Sequence, residues 1–212
     1  MKPDSQSLKV YEEIRKKILA NLLAPDARLK EAFWSQKLEV SRMGVREALN
    51  RLLGERLVRQ GEKGGFYVAS VSAEDIRQIR KLREILEVGA LRLAFKILTP
   101  VHITRLQKIC DDFSSMVEQG YYSGAAEADI KFHETLIEFS GNEKLQQAYM
   151  SANISLFQMR LGSAHLYLHD YTTTDAEHRK IVQFLKAGKL KQAENTLVSH
   201  FARGEAAVLD TE

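Results

Sequence analysis

Apolar residues recur at helical spacing from the first turns of the chain. Leu8, Tyr11, Ile14, Ile18 and Leu22 follow an i, i+3, i+4 pattern and predict a helix over Ser7–Asn21, which Ala24-Pro25-Asp26 breaks. A short helix is expected over Glu31–Lys37, followed by a turn at Leu38-Glu39-Val40. Ser41 has the short polar side chain of an N-cap, and Val45, Leu49, Leu52 and Leu53 mark the inner face of a helix over Arg42–Glu55. Two β-prone runs, Leu57–Gln60 and Phe66–Ala69, flank Gly61-Glu62-Lys63-Gly64-Gly65, which has the composition of a hairpin tip. Helix, helix, turn, helix, hairpin is the order of a winged helix-turn-helix.

After a brief linker at 70–73 the periodicity is helical throughout. The expected segments are 73–98, 100–118, 122–140, 143–169, 174–187 and 189–209, punctuated by Pro100, Gly120, Gly141 and Gly188. Thr174-Asp175-Ala176-Glu177 has the form of a capping box. The expected architecture is therefore mainly α. A winged helix-turn-helix domain spans 1–70, and an all-helical six-helix bundle spans 74–212, with room for an internal pocket.

Composition narrows the function classes. With 44% apolar and 28% charged residues among 212, the chain is neither disordered nor membrane-like. Its apolar runs fall far short of the ~20 residues a membrane span needs. The N-terminus lacks the apolar core of a signal peptide. The lone Cys110 excludes an intramolecular disulfide and a cysteine-based zinc cluster. These features together point to the reducing cytoplasm, with no membrane partner. Charge is unevenly placed: residues 1–70 hold 14 Lys/Arg against 9 Asp/Glu, a balance of +5, while 71–212 hold 17 against 19, a balance of −2. A basic head suits a polyanion, although a solvated charged surface gives the same count.

The expected recognition helix begins Ser41-Arg42-Met43-Gly44-Val45-Arg46. Arg42 and Arg46 are four apart and share a helical face, and an arginine fork matches both guanine edges and phosphates. Ser41, at the cap, can meet a phosphate through its hydroxyl or backbone N–H. Lys63 and Gly64, at the wing tip, can approach the minor groove or the backbone. Two arginines on a helix also form plain surface ion pairs, for instance with Glu47 or Glu55. The helix order and the charge split tip the balance to double-stranded DNA.

The stretch from Leu29-Lys30-Glu31 to Leu38-Glu39-Val40-Ser41-Arg42-Met43-Gly44-Val45-Arg46-Glu47-Ala48-Leu49-Asn50-Arg51-Leu52 resembles the signature of the GntR family of transcription regulators. The resemblance covers most of residues 8–70. It implies that Ser41, Arg42 and Arg46 match DNA-contacting positions, with position 43 a further contact. The chain departs from the pattern where Met43-Gly44 replace Thr-Pro, Asp26 replaces Gly, and Trp34-Ser35 replace Leu-Ala. Met43 lacks the hydroxyl that threonine would offer, so the operator is expected to differ from the family's common one.

In the rear half, Asp129 and His133 are four apart on an expected helix. His178 lies ten residues before Gly188 and His200 twelve after it. In an antiparallel hairpin that puts both at one level, ~15–18 Å from the turn. Three imidazoles and a carboxylate suit Zn or Ni, with Mn or Co as alternatives, better than Ca. His165 and His169, also four apart, compete for the same assignment on spacing alone, and His102 beside Pro100 reads as a surface residue.

The helical remainder resembles the FCD effector domain of the FadR-type branch of GntR regulators, in its six-helix, VanR-like variety. The matching residues are Leu82-Arg83, Leu86-Glu87, Ala90, Leu93-Ala94, Asp129, Phe132-His133, Leu136, Gly141-Asn142, Leu145, Glu177-His178, Ile181, Ala193 and Ser199-His200. The resemblance implies that Asp129, His133, His178 and His200 hold a divalent metal ion whose free coordination positions receive a small organic acid. Arg83 and Arg160 are candidates for a clamp on that acid. Phe157 and Tyr167 are candidate pocket walls, with core packing the competing reading.

The function expected from these features is a ligand-responsive bacterial transcription regulator, commonly a repressor, that binds a pseudo-palindromic operator as a homodimer. It would be cytoplasmic and nucleoid-associated. Two rivals share the metal set. A metal-dependent enzyme acting on a small acid would need a general base beside the ion, and no glutamate stands out at that spacing. A metal-sensing regulator would use the ion itself as effector.

Overall fold

The computed structural model describes residues 3–154 and 170–209. Arg160, Phe157, Tyr167, His165 and His169 lie outside the described residues, as does the far end of the helix expected over 143–169. The chain divides into two compact units, Met1–Ser72 and Ala73–Glu212.

The first unit contains helices α1 (Pro3–Leu19), α2 (Glu31–Leu38) and α3 (Arg42–Gly54). It also contains strands β1 (Arg28–Leu29), β2 (Val58–Gln60) and β3 (Phe66–Val68). Helix α1 starts earlier than the apolar pattern suggested, because Pro3 suits a first helical turn, where no N–H is needed. It closes with Asn21 in the left-handed region (φ 53°), and the Leu22 N–H reaches back to the Lys17 carbonyl at 2.8 Å. Val10, Ile14 and Ile18 of α1 are buried, as are Val45, Leu49 and Leu52 of α3, and the two helices pack together. Ser41 caps α3 as expected, its hydroxyl oxygen accepting from the Gly44 N–H at 3.1 Å.

The sheet is antiparallel in the order β1-β3-β2. Strand β1 was not anticipated. It is two residues long, too short for an alternating pattern, and pairs Arg28 with Tyr67 and Leu29 with Phe66 across more than thirty residues of chain. The wing tip carries Gly64 and Gly65 at φ 81° and 86°, a backbone region that glycine enters without penalty.

Among the described residues the second unit has six helices: α4 (Ala73–Phe95), α5 (Pro100–Glu118), α6 (Tyr122–Phe139), α7 (Glu143–Ser151), α8 (Tyr171–Lys186) and α9 (Leu190–Leu209). Helix α5 is capped by Thr99, whose N–H donates to Nδ1 of His102 at 3.1 Å. Helix α8 begins three residues before the expected start. Asp170 is its cap and accepts from the Thr173 N–H at 2.9 Å. The capping box at Thr174 does not form, because both of its side chains are engaged elsewhere. Thr174 accepts from Arg203 at 2.8 Å, and Glu177 turns to His200 and Arg203.

Helix α6 packs against both α4 and α5, α5 against α8, and α9 against α4 and α8. Their shared core contains Leu91, Leu106, Phe132, Leu136, Ile181 and Leu197, all fully buried. Burying each such side chain is worth about 1.5–3 kcal/mol, so this layer fixes α6, α8 and α9 firmly enough to hold polar groups between them.

Candidate functional site

Asp129 and His133 lie one helical turn apart on α6, with Phe132 and Leu136 directed into the core beside them. His178 comes from α8 and His200 from α9, the two arms of the hairpin that turns at Gly188. One donor atom from each of these four residues lies within 4.8 Å of all the others. Nε2 of His133 is 3.2 Å from Nε2 of His200 and 3.7 Å from Oδ1 of Asp129, and Nε2 of His178 is 3.4 Å from the same oxygen. The three histidines are buried, while Asp129 is partly exposed. Around them, Phe132 stacks on the His178 ring (centroids 4.1 Å apart) and Phe113 meets its edge.

Two carboxylates orient the imidazoles from behind. Nδ1 of His133 is 2.6 Å from Oε2 of Glu87, and Nδ1 of His200 is 2.7 Å from Oε2 of Glu177. With an N–H on each Nδ1 facing a carboxylate, both Nε2 lone pairs point inward, toward each other and toward Asp129. Such a convergence of electron pairs is relieved by a positive charge in its middle, whether a proton or a metal cation. Nε2 of His178 is buried without a hydrogen-bond partner among the described residues, a cost of about 1–3 kcal/mol that a cation would remove. Metal bonds of about 2.1 Å set neighbouring donor atoms ~3.0–3.4 Å apart, close to the spacings here. The donor set and its geometry therefore fit a divalent metal ion.

The charges of the centre follow from burial and neighbours. Burial works against ionising Glu87, yet Arg83 and His133 hold its carboxyl down at about 2. Burial also opposes Glu177, but His200 and Arg203 bring it to about 2. His178 is pushed well below its ordinary value by burial and by His200, so it stays neutral. Burial likewise lowers His200. Burial works against protonating His133, but the Glu87 charge together with hydrogen bonds to Asp129 and Glu87 raises it overall. Asp129 is held well below the usual carboxylate range by the histidines around it, against its desolvation.

Arg83, expected as an effector clamp, is largely buried and gives its Nε to Oε1 of Glu87 at 2.8 Å, with its guanidinium over the Phe201 ring. The sequence reading missed Glu87 and Glu177 as orienting groups. The available signal was adjacency: Glu177 directly precedes His178, and Glu87 stands one turn from Arg83.

In the first unit, Arg42, Met43 and Arg46 are all exposed at the start of α3. Met43 is 76% exposed, unusual for so apolar a side chain. Arg46 forms a bidentate pair with Glu31 of α2 (2.9 and 3.1 Å), not with Glu47 or Glu55. The Ser41 N–H donates to Gln6 at 3.3 Å, and its hydroxyl oxygen serves as the cap. Lys63 and Gly64 are exposed at the wing tip. No helix among the described residues is long and apolar enough to cross a membrane.

Comparison with known proteins matches this division of the chain. Residues 6–68 match the model of bacterial regulatory proteins, gntR family, and residues 78–203 match the FCD domain. The chain is 27% identical over 205 residues to the HTH-type transcriptional regulator YdhC of Bacillus subtilis, covering 94% of this chain and 89% of that one. It is 26% identical over 187 residues to the gluconate operon transcriptional repressor of the same organism, covering 86% and 76%. The crystal structure of a GntR-type regulator from Rhodococcus sp. RHA1 superposes with a TM-score of 0.80 at 23% identity, covering 98% of this chain and 99% of that one. These similarities point to transcriptional regulation and not to catalysis. The chain belongs to the GntR family of bacterial regulatory proteins, with a winged helix-turn-helix at its N-terminus and an FCD domain behind it.

Proposed function

We propose that this regulator is a cytoplasmic, nucleoid-associated repressor that binds a pseudo-palindromic operator as a homodimer and responds to a small organic acid held at a metal centre. The observation that carries the reading is the convergence of one donor atom each from Asp129, His133, His178 and His200 within 4.8 Å of one another, with Nε2 of His178 buried and lacking a hydrogen-bond partner among the described residues. A divalent ion held by these residues, zinc or nickel best suited to the donors, would supply a Lewis-acidic anchor for a carboxylate. Glu87 and Glu177 hold the two imidazoles in the tautomer a metal requires. The similarity to a gluconate operon repressor supports repression as the mode of action.

DNA contact is assigned to Arg42, Met43 and Arg46 at the start of α3, with the Ser41 hydroxyl hydrogen directed to a phosphate and Lys63 and Gly64 at the wing. Their exposure supports this assignment. Two such helices in a symmetric dimer would enter successive major grooves. The acid would change operator affinity by binding one arrangement of the protein better than another.

The test is a gel shift on a duplex selected from a randomised library with the full chain. A panel of small carboxylates should alter the shift, and a chelator should abolish that response. A response that persists in chelator would contradict the metal anchor. A shift toggled by metal alone would make the ion itself the effector.

A further inference from the structure

Glu87 does more than orient the His133 imidazole. It is a fully buried carboxylate in the middle of α4, and it joins three helices. Oε1 accepts from Arg83 on α4 at 2.8 Å and from the Tyr149 hydroxyl on α7 at 3.2 Å. Oε2 faces Nδ1 of His133 on α6 at 2.6 Å. Its counterpart Glu177 is different in kind. That residue faces His200 and Arg203, so it ties α8 to α9 within the hairpin that already carries two of the four donors. The Glu87 contact is a direct hydrogen bond from the cluster to α4, beside the apolar packing that α4 makes with α6 and α9.

Helix α4 follows strand β3 after the four residues 69–72, so it is the element through which the second unit joins the chain of the first. Glu87 lies fourteen residues along it, ~21 Å from its start at the α-helical rise. With Nε2 of His133 engaged by a cation, its Nδ1–H would be a stronger donor, and the tie to Glu87 would hold the α4 turns around it more firmly.

We infer that Glu87 is a positioning residue that couples occupancy of the Asp129, His133, His178 and His200 centre to helix α4. The inference rests on reading that centre as a metal site. Glu177 performs the same orienting task for His200 without a link to α4.

The experiment is hydrogen–deuterium exchange of the full chain, in chelator and in saturating zinc, paired with zinc titration calorimetry. In the wild type, zinc is expected to slow exchange across residues 83–91 of α4, as well as in α8 and α9, by about tenfold. Glu87→Gln and Glu177→Gln should each lower zinc affinity about 10–100-fold. At saturating zinc, Glu87→Gln should keep the protection gained in α8 and α9 and lose that gained in α4. Glu177→Gln should keep the gain in α4. A purely structural role for Glu87 would slow or speed exchange equally with and without zinc. Full zinc-dependent protection of α4 in Glu87→Gln would overturn the inference while leaving the metal reading intact. A wild type that takes up no zinc would overturn both. Should Glu87→Gln fail to fold, Glu87→Asp carries the same test by keeping the charge beside Arg83 while drawing the carboxylate back from His133. A diminished α4 response is then expected, and an undiminished one overturns the coupling.

Discussion

Replacing His178 by leucine should make the metal-free protein more stable and the zinc-loaded protein less so. In the metal-free chain Nε2 of His178 is buried and lacks a hydrogen-bond partner among the described residues. Such an orphan costs about 1–3 kcal/mol, which leucine removes. Leucine is similar in size and meets the faces of Phe132 and Phe113, so imperfect packing should return at most about 1.5 kcal/mol. The net gain is about 1 kcal/mol, or ~2–4 °C in Tm for a chain of this size. Zinc at a hundred times its dissociation constant adds about 2.7 kcal/mol to the wild type, ~5–10 °C, and should add almost nothing to the variant. Thermal melts in chelator and in zinc should therefore cross, with the variant above the wild type in the first and below it in the second. A variant that melts lower than the wild type in chelator would show that the histidine is a satisfied core residue. An undiminished zinc shift would remove it from the donor set.

Other expectations follow from the same geometry. Arg46→Ala should weaken binding to a selected operator about tenfold to a hundredfold if the guanidinium reads a base, and unchanged affinity in a fluorescence-anisotropy titration would assign Arg46 to its Glu31 pair alone. Ser41→Ala removes the cap of α3 and should lower the stability of the first unit by about 1 kcal/mol, readable in urea unfolding. Glu194 joins α9 to Arg92 of α4, and that hydrogen-bonded pairing keeps its carboxyl below the ordinary value. Its stabilising effect is thus present above the ordinary carboxylate range and fades as pH falls through the lowered value. Glu194→Gln should accordingly flatten the acid limb of the stability curve, and an identical limb would disprove the contribution.

The elements whose apolar faces were continuous could be read from the sequence. Helices α5 and α6 begin where Pro100 and Tyr122 were expected to start them, and Ser41 caps α3. Strand β1 was not legible, because two residues carry no period and their partners on β3 are remote in sequence. The start of α8 was misplaced because a capping box presumes that its threonine and glutamate serve the local backbone. Here Arg203 takes Thr174, and His200 takes Glu177. The same long-range competition hid the roles of Glu87 and Arg83. They form an i, i+4 ion pair, but nothing local reveals that the pair orients His133, forty-six residues away. The convergence of Asp129, His133, His178 and His200 was easier to read, since a one-turn pair and a hairpin are both set by backbone geometry. Choosing it over the competing His165 and His169 pair came from family resemblance and not from spacing.

Regulation by a metal-anchored acid requires that the four converging side chains hold a cation. The most direct measurement is the metal content of the full chain after zinc loading and dialysis, read by plasma mass spectrometry beside an Asp129→Ala/His133→Ala variant. Bound zinc near one ion per chain in the wild type, with little in the variant, is the predicted result. Equal metal in both proteins, or none in either, would contradict it.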